Sequence, residues 1–100
     1  MKACITISCI AALLSGNALA QEDLAKAKNC MTCHAIDKKI VGPSYKDVTA
    51  KFGGQKGAEA TLAAKIKGGS QGAWGAVPMP ANNVTDAEAA SLAKWVLTHK

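Results

Sequence analysis

Residues 30–34 of the 100-residue chain read Cys30-Met31-Thr32-Cys33-His34, which is a C-x-x-C-H pattern. Two thiols three positions apart can each form a thioether with one of the two vinyl groups at a porphyrin edge. The imidazole that follows then lies under the centre of the ring. The pattern therefore predicts covalent attachment of one haem through Cys30 and Cys33, with His34 as an axial ligand of the iron.

Three other uses of these residues compete with haem attachment. A thioredoxin-like redox pair also has two cysteines at this spacing, but it needs a strand followed by a helix, and no strand pattern is visible. A zinc site needs four ligands, for which Cys30, Cys33, His34 and His99 are the candidates, and Cys33 and His34 are neighbours in the chain. A plain disulfide would close only a very short loop. Haem attachment is the interpretation that the pattern favours.

The first twenty residues are typical of an export signal. Lys2 supplies a positive charge, residues 3–14 are apolar, and Ala18-Leu19-Ala20 matches the A-x-A cleavage pattern. The apolar run is shorter than the roughly 20 residues of a transmembrane helix, which disfavours an uncut anchor. We expect cleavage after Ala20, a signal peptide at 1–20, a mature domain at 21–100, and export to the periplasm without a stable membrane anchor.

The composition of residues 21–100 indicates that a bound group completes the core. Leu, Ile, Val and Phe make up 13 of these 80 residues, which is a small apolar share. A domain of this size buries only about 60–65% of its unfolded surface, so additional stabilisation is expected. Eleven lysines stand against seven acidic residues, a net charge of +4, and arginine is absent. This charge favours acidic protein partners and, without arginine or interleaved aromatic residues, disfavours nucleic acid.

The pattern along the chain predicts an all-α domain of four short helices. The first spans 22–29, and the second begins after the cap Ser44 and ends at Gly53. The third spans 58–67, and the fourth begins at the capping box of Thr85 and Glu88. Residues 69–84 form an irregular loop, which is long for so small a domain and therefore a candidate functional segment.

The presence of a second axial ligand would distinguish an electron carrier from a haem enzyme or a gas sensor. Among the candidates, Met31 lies between the two attachment cysteines and His99 is close to the C-terminus. Met79 lies between Pro78 and Pro80, which hold the backbone extended. Met79 is thus the favoured ligand, and its thioether would raise the reduction potential. An open sixth position would instead indicate a haem enzyme or a gas sensor.

Five segments together resemble the short bacterial class I cytochromes c of the cytochrome c-551/c-552 type. The resemblance covers nearly all of residues 21–100. Its segments are Cys-Met-Thr-Cys-His-Ala-Ile-Asp (30–37), Val-Gly-Pro-Ser-Tyr-Lys-Asp-Val (41–48), Gly-Ser-Gln-Gly-Ala-Trp-Gly (69–75), Pro-Met-Pro (78–80) and Leu-Ala-Lys-Trp-Val-Leu (92–97). It implies a small class I cytochrome c fold, in which about four helices wrap around one haem.

The resemblance also implies the surroundings of the iron. His34 and Met79 would be the axial ligands, and the carbonyl of Pro43 would accept a hydrogen bond from the His34 ring. The amide of Asn82 would point at the Met79 sulfur. Some relatives have a second proline after the ligand's own, where this chain has Ala81.

Further positions are implied at the haem edge. The indole N–H of Trp74 would contact a haem propionate, and Lys65 falls where the family often has a basic residue near a propionate. Trp95 resembles a core residue at the crossing of the first and last helices. Small apolar side chains near Ala35, Val41 and Ala81 would surround the exposed edge, with lysines further out.

The function that the resemblance implies is a soluble, monomeric, periplasmic electron carrier rather than an enzyme. Its partners would be redox proteins such as a nitrite reductase, a terminal oxidase, a bc-type complex or a small copper protein. Two alternatives stay open, namely a haem enzyme or sensor, and a cytochrome domain that is a fixed subunit of a larger enzyme.

Overall fold

The computed structural model describes residues 20–100, and the helices there connect in the predicted order. Helix α1 covers 20–27, a single 3₁₀ turn covers Cys30–Thr32, α2 covers Tyr45–Phe52, α3 covers Ala58–Gly68 and α4 covers Asp86–Val96. Within residues 20–100 extended pairing is limited to isolated bridges, so the predicted all-α fold is confirmed. The predicted signal peptide, apart from its last residue, lies outside the described residues. No helix in the described part of the chain is long and apolar enough to cross a membrane.

Helix α1 ends earlier than the sequence predicted. Asn29 adopts a left-handed conformation with φ of 65°, and its N–H bonds to the carbonyl of Lys26, three residues back, at 3.1 Å. Asparagine tolerates this conformation better than most residues because its short polar side chain suits it. The reversal at Asn29 turns the chain into the 3₁₀ turn that begins at Cys30, and so the end of α1 positions the C-x-x-C-H segment.

The predicted caps of α2 and α4 are confirmed. The Ser44 hydroxyl accepts a hydrogen bond from the backbone N–H of Asp47 at 3.0 Å. At α4, Thr85 and Glu88 form the complete capping box, with each side chain accepting from the other residue's backbone N–H. These caps fix where the two helices begin and therefore which faces they turn inward.

The core is small and lies where α3 and α4 pack on each other, with contributions from α1 and α2. Trp95 is buried there, as predicted, and Leu92 is the largest side chain that is almost fully enclosed. Leu62, Ile66 and Leu92 belong to this core and also line a cleft beside it. The core therefore has one open side, which is the position that a bound apolar group would complete.

Candidate haem site

A single cleft collects all the residues that the sequence singled out as a site. It has a volume of about 1080 Å³ and lies between the C-x-x-C-H turn, helices α2 to α4 and the loop 69–84. The predicted site residues that line it are Cys30, Cys33, His34, Pro43, Lys65, Trp74, Met79 and Asn82. Residues from distant parts of the chain thus meet around one space.

The ring of His34 is held in one orientation. Its Nδ1 lies 2.6 Å from the carbonyl oxygen of Pro43, and a carbonyl only accepts, so Nδ1 carries the proton and donates. Nε2 then keeps its lone pair, which is the form of imidazole that binds a metal. Gly42 fixes the neighbouring chain, because its N–H donates to the Cys33 carbonyl at 2.8 Å.

Gly42 also leaves the space that the His34 ring occupies. A Cβ at residue 42 would lie 2.6 Å from Cε1 and 3.0 Å from Nδ1 of that ring, which is closer than real contacts of this kind. Its backbone has no positive φ, so the requirement for glycine is steric rather than conformational. Nothing in the sequence marks Gly42 for this role, because only the folded chain brings it against His34.

The Tyr45 ring also packs against the histidine. Its ring stacks on His34 with centroids 5.3 Å apart and planes at 26°, and its hydroxyl donates to the Met31 sulfur at 3.5 Å. Burial raises the pKa of the Tyr45 phenol, and the nearby Cys30 and Cys33 act in the same direction. Tyr45 therefore stays protonated and donates to Met31 at ordinary pH.

The two cysteines do not have the properties of a redox pair or a zinc site. Both are half-buried and unpaired, so no disulfide joins them. Burial raises the pKa of the Cys30 thiol, although a hydrogen bond to backbone partly opposes this, whereas catalytic redox thiols have a lowered pKa. Within residues 20–100, no group of three or more His, Cys, Asp or Glu side chains could hold a metal ion. The thioredoxin-like, disulfide and zinc alternatives are therefore not supported.

His99 does not line the cleft and packs instead against the rings of Tyr45 and Trp95. Its ring stacks on Tyr45 with centroids 5.8 Å apart and meets Trp95 edge-on at 4.6 Å. Its Nε2 is buried and has no hydrogen-bond partner among residues 20–100. Burial lowers the pKa of His99; the charge of Glu22 opposes this shift and that of Lys46 adds to it. His99 is thus a packing residue in its neutral form.

The loop 69–84 carries Met79 and is tied at its base. Ser70 and Met79 exchange two backbone hydrogen bonds, from Ser70 N–H at 2.9 Å and from Met79 N–H at 2.8 Å. Gly69, with φ of 87°, lets the chain pass the Met79 carbonyl, which a Cβ would approach to 2.9 Å. Asn82 fastens the far side, because its backbone N–H and its side-chain amide both donate to the Ile66 carbonyl, at 3.2 and 2.9 Å.

Two lysines lie beside Phe52 and Trp74, the two aromatic rings that line this part of the cleft. The Lys51 Nζ lies 4.5 Å from the centroid of the Trp74 ring, and the Lys65 Nζ lies 5.9 Å from that of Phe52. Trp74 is 41% exposed. Lys51 was not predicted as a site residue, since on the sequence it is one lysine of many on a helix surface. Lys65 and Trp74 both line the cleft, so a cation and an indole N–H donor are available there to carboxylates of a bound group, whereas Lys51 does not line it.

The residues present fit a covalently attached haem. The cleft offers a pair of unpaired thiols, an imidazole with Nε2 available, and a thioether on a tied loop, while its walls are mostly apolar. Lys28, Lys39 and Lys65 also line the cleft, and their positive charge suits the propionates of a porphyrin. A cleft of this kind in an all-α chain defines a c-type haem protein.

Comparison with known proteins agrees with this conclusion. A family model described as Cytochrome c matches residues 18–100. The chain is 60% identical over 95 residues to cytochrome c-551 of Pseudomonas aeruginosa, covering 88% of this chain and 91% of that protein. It is 51% identical over 96 residues to cytochrome c-552 of Nitrosomonas europaea, covering 95% and 93%. The crystal structure of wild-type Nitrosomonas europaea cytochrome c552 matches with a TM-score of 0.77 at 54% identity, covering 79% of this chain and 99% of that chain.

The chain belongs to the cytochrome c family and is a bacterial class I cytochrome c. Its cofactor is haem c, attached through cysteines and containing iron, and it is a single-haem electron carrier. The resemblance, the fold and the cofactor predicted from the sequence are thereby confirmed. Cytochromes of this kind exchange electrons with other proteins.

Proposed function

We propose that this protein is a periplasmic one-electron shuttle in which His34 and Met79 are the axial ligands of a haem that Cys30 and Cys33 hold. The observation that carries the proposal is the shared cleft. An imidazole with Nδ1 bonded to Pro43 and a thioether on a tied loop both line it, beside two unpaired thiols. A filled sixth position is typical of electron transfer rather than of catalysis or gas binding.

Neighbouring residues hold the His34 and Met79 side chains in place when the iron gains or loses an electron. The haem supplies an iron that alternates between ferrous and ferric states. Pro43 and Tyr45 restrain His34 from two directions, and the bonds between Ser70 and Met79 restrain the thioether. Side chains that hardly move need little reorganisation on electron transfer. We assign Trp74 and Lys65 to the propionates. We assign the amide of Asn82, which here donates to the carbonyls of Ile66 and Pro80, to the Met79 sulfur.

Location and partners follow from the sequence and the charge. The signal at 1–20 directs the chain to the periplasm, where residues 21–100 act as a soluble monomer. A net charge of +4, all of it carried by lysine, steers the protein toward acidic patches on redox partners. A nitrite reductase, a terminal oxidase, a bc-type complex and a small copper protein are the partner classes we propose. The carrier transfers electrons without making or breaking substrate bonds.

The visible spectrum of the exported protein tests this function. We expect a sharp α band after reduction and, in the oxidised protein, a weak charge-transfer band between a methionine sulfur and ferric iron. Met79→Ala removes that band, and the matched variant Met31→Leu keeps it, because Met31 does not line the cleft.

Two outcomes would contradict the proposal. A haem spectrum whose charge-transfer band survives Met79→Ala would assign the sixth ligand elsewhere. Ready binding of carbon monoxide to the reduced wild-type protein would show an open or displaceable position, and would favour a haem enzyme or sensor.

A further inference from the structure

The segment 71–78 crosses the mouth of the cleft with few connections to the rest of the chain. The bonds between Ser70 and Met79 close its base, but they lie just outside it. Among residues 20–100, its one hydrogen bond to another element runs from the Lys51 side chain to the carbonyl of Ala73. The hydrogen bond from Lys51 is therefore the polar contact that holds this segment to helix α2.

Lys51 makes two contacts with neighbouring residues of the segment. Its Nζ donates to the Ala73 carbonyl at 2.7 Å and lies 4.5 Å from the centroid of the Trp74 ring. Beneath, the Phe52 ring lies 6.5 Å from the Trp74 ring, tilted by 57°. The ammonium group thus holds both a backbone carbonyl and an aromatic face, and Phe52 provides the surface on which Trp74 rests.

We propose that Lys51 is a positioning residue that latches the segment 71–78 to helix α2 and so holds Trp74 across the mouth of the haem cleft. The inference rests on the proposed function, because the latched loop is the one that carries Met79. Lys51 acts through Ala73 and Trp74 rather than by touching the iron. Its effect is to make the departure of the Met79 thioether rare, since the segment must open to let another ligand in.

The geometry explains why lysine suits this position. Its stem starts in the last turn of α2, and its flexible end reaches past Phe52 to the segment. The carbonyl of Ala73 satisfies one of the three ammonium donors, while the aromatic face requires only the positive charge. A neutral side chain of similar length would therefore lose both contacts, and arginine, which keeps charge and donors, would retain them.

Cyanide binding to the oxidised holoprotein tests the latch. At saturating cyanide the rate is limited by opening of the Met79 loop. We expect Lys51→Met to raise this rate about tenfold, the factor that corresponds to one exposed hydrogen bond from a charged group. Lys51→Arg restores a rate close to wild type. Lys56→Met is the matched control, because it removes the same charge from an exposed lysine in the α2–α3 turn.

A second measurement separates the latch from the identity of the ligand. Hydrogen exchange of the Met79 and Ser70 backbone N–H groups, followed by NMR, reports opening of the loop base whichever residue binds the iron. Exchange should quicken in Lys51→Met and not in Lys56→Met. If these N–H groups respond but the charge-transfer band does not depend on Met79, the latch stands and the ligand assignment falls.

Three results would overturn the inference. Equal cyanide rates for Lys51→Met and wild type would show that Lys51 does not hold the segment. Equal acceleration in Lys56→Met would reduce the effect to charge alone. An equal acceleration in Thr49→Val, which weakens the contact of α2 with the end of α4, would show that the rate follows overall stability rather than this latch.

Discussion

Replacing Gly42 with alanine should displace the proximal histidine. The new Cβ would lie 2.6 Å from Cε1, 3.0 Å from Nδ1 and 3.2 Å from Nε2 of His34, so one methyl group would press on three ring atoms. The ring has little freedom to retreat. Pro43 holds its Nδ1, the stacked Tyr45 lies against it, and His34 directly follows an attachment cysteine.

The size of the effect follows from this confinement. Overpacking a well-packed site costs about 1–3 kcal/mol. In a domain of 60–100 residues each 1 kcal/mol lowers the melting temperature by about 4–8 °C, so we expect Gly42→Ala to lower it by at least about 4 °C. If the ring escapes by leaving the Pro43 carbonyl, its imidazole becomes a weaker donor to iron. The reduction potential should then rise, because the ferric state loses more than the ferrous state.

Thermal unfolding followed in the haem absorbance, together with a potential titration, checks both effects. Gly68→Ala is the matched control, because a Cβ at the last residue of α3 meets nothing within 4 Å and the backbone there has no positive φ. That variant should be as stable as wild type or more so. If Gly42→Ala melts at the same temperature as Gly68→Ala and its reduction potential is unchanged, the site can accommodate a Cβ at residue 42 without displacing the His34 ring.

Three further predictions concern stability and pH. Thr85→Ala should lower the free energy of unfolding in urea by about 1 kcal/mol because it removes the α4 cap, and Thr85→Ser should restore most of this loss. An unchanged unfolding midpoint in Thr85→Ala would mean that the cap is not needed. Thr49→Val should lower the free energy of unfolding by about 1 kcal/mol, because the Thr49 hydroxyl donates to the Val96 carbonyl at 2.8 Å. The loss stays modest because that carbonyl still accepts a hydrogen bond from the His99 N–H, and an unchanged unfolding midpoint would contradict this prediction. Because burial lowers the pKa of His99 from its ordinary 6.5, the unfolded chain takes up this proton first, and the free energy of unfolding should fall as pH drops below about 6.5. Unfolding of His99→Gln across pH 5–8 should show a flatter profile, and an identical slope in both proteins would assign the effect to other groups.

The sequence predicted the helices best where their ends depend on local residues. Ser44 and Thr85 cap helices through side chains that contact only the next turn, so the pattern alone locates them. The end of α1 was placed two residues too late, because Asn29 reverses the chain to present the attachment turn. That reversal depends on where Cys30 must lie in the folded protein, which helix periodicity does not encode.

The residues that would bind haem and iron could be predicted from the sequence, whereas the residues that hold them in place could not. The attachment residues and Met79 stand out because cysteines, histidine and methionine bind haem and iron, and their spacing is short or flanked by proline. Gly42 and Lys51 act through contacts that form only on folding. A glycine before a proline and a lysine on a helix are ordinary features, so nothing in the sequence distinguishes these two from their neighbours.

The two backbone hydrogen bonds between Ser70 and Met79 close the base of the loop that carries Met79. Their register fixes Met79 relative to α3 for as long as both bonds are made. We expect substitutions between the two tied positions to leave the helices and the attachment turn unaltered where they keep the contacts of Ala73 and Trp74 with helix α2. An engineer who seeks a new reduction potential should therefore vary the residues of 71–78 other than Ala73 and Trp74 before repacking the core.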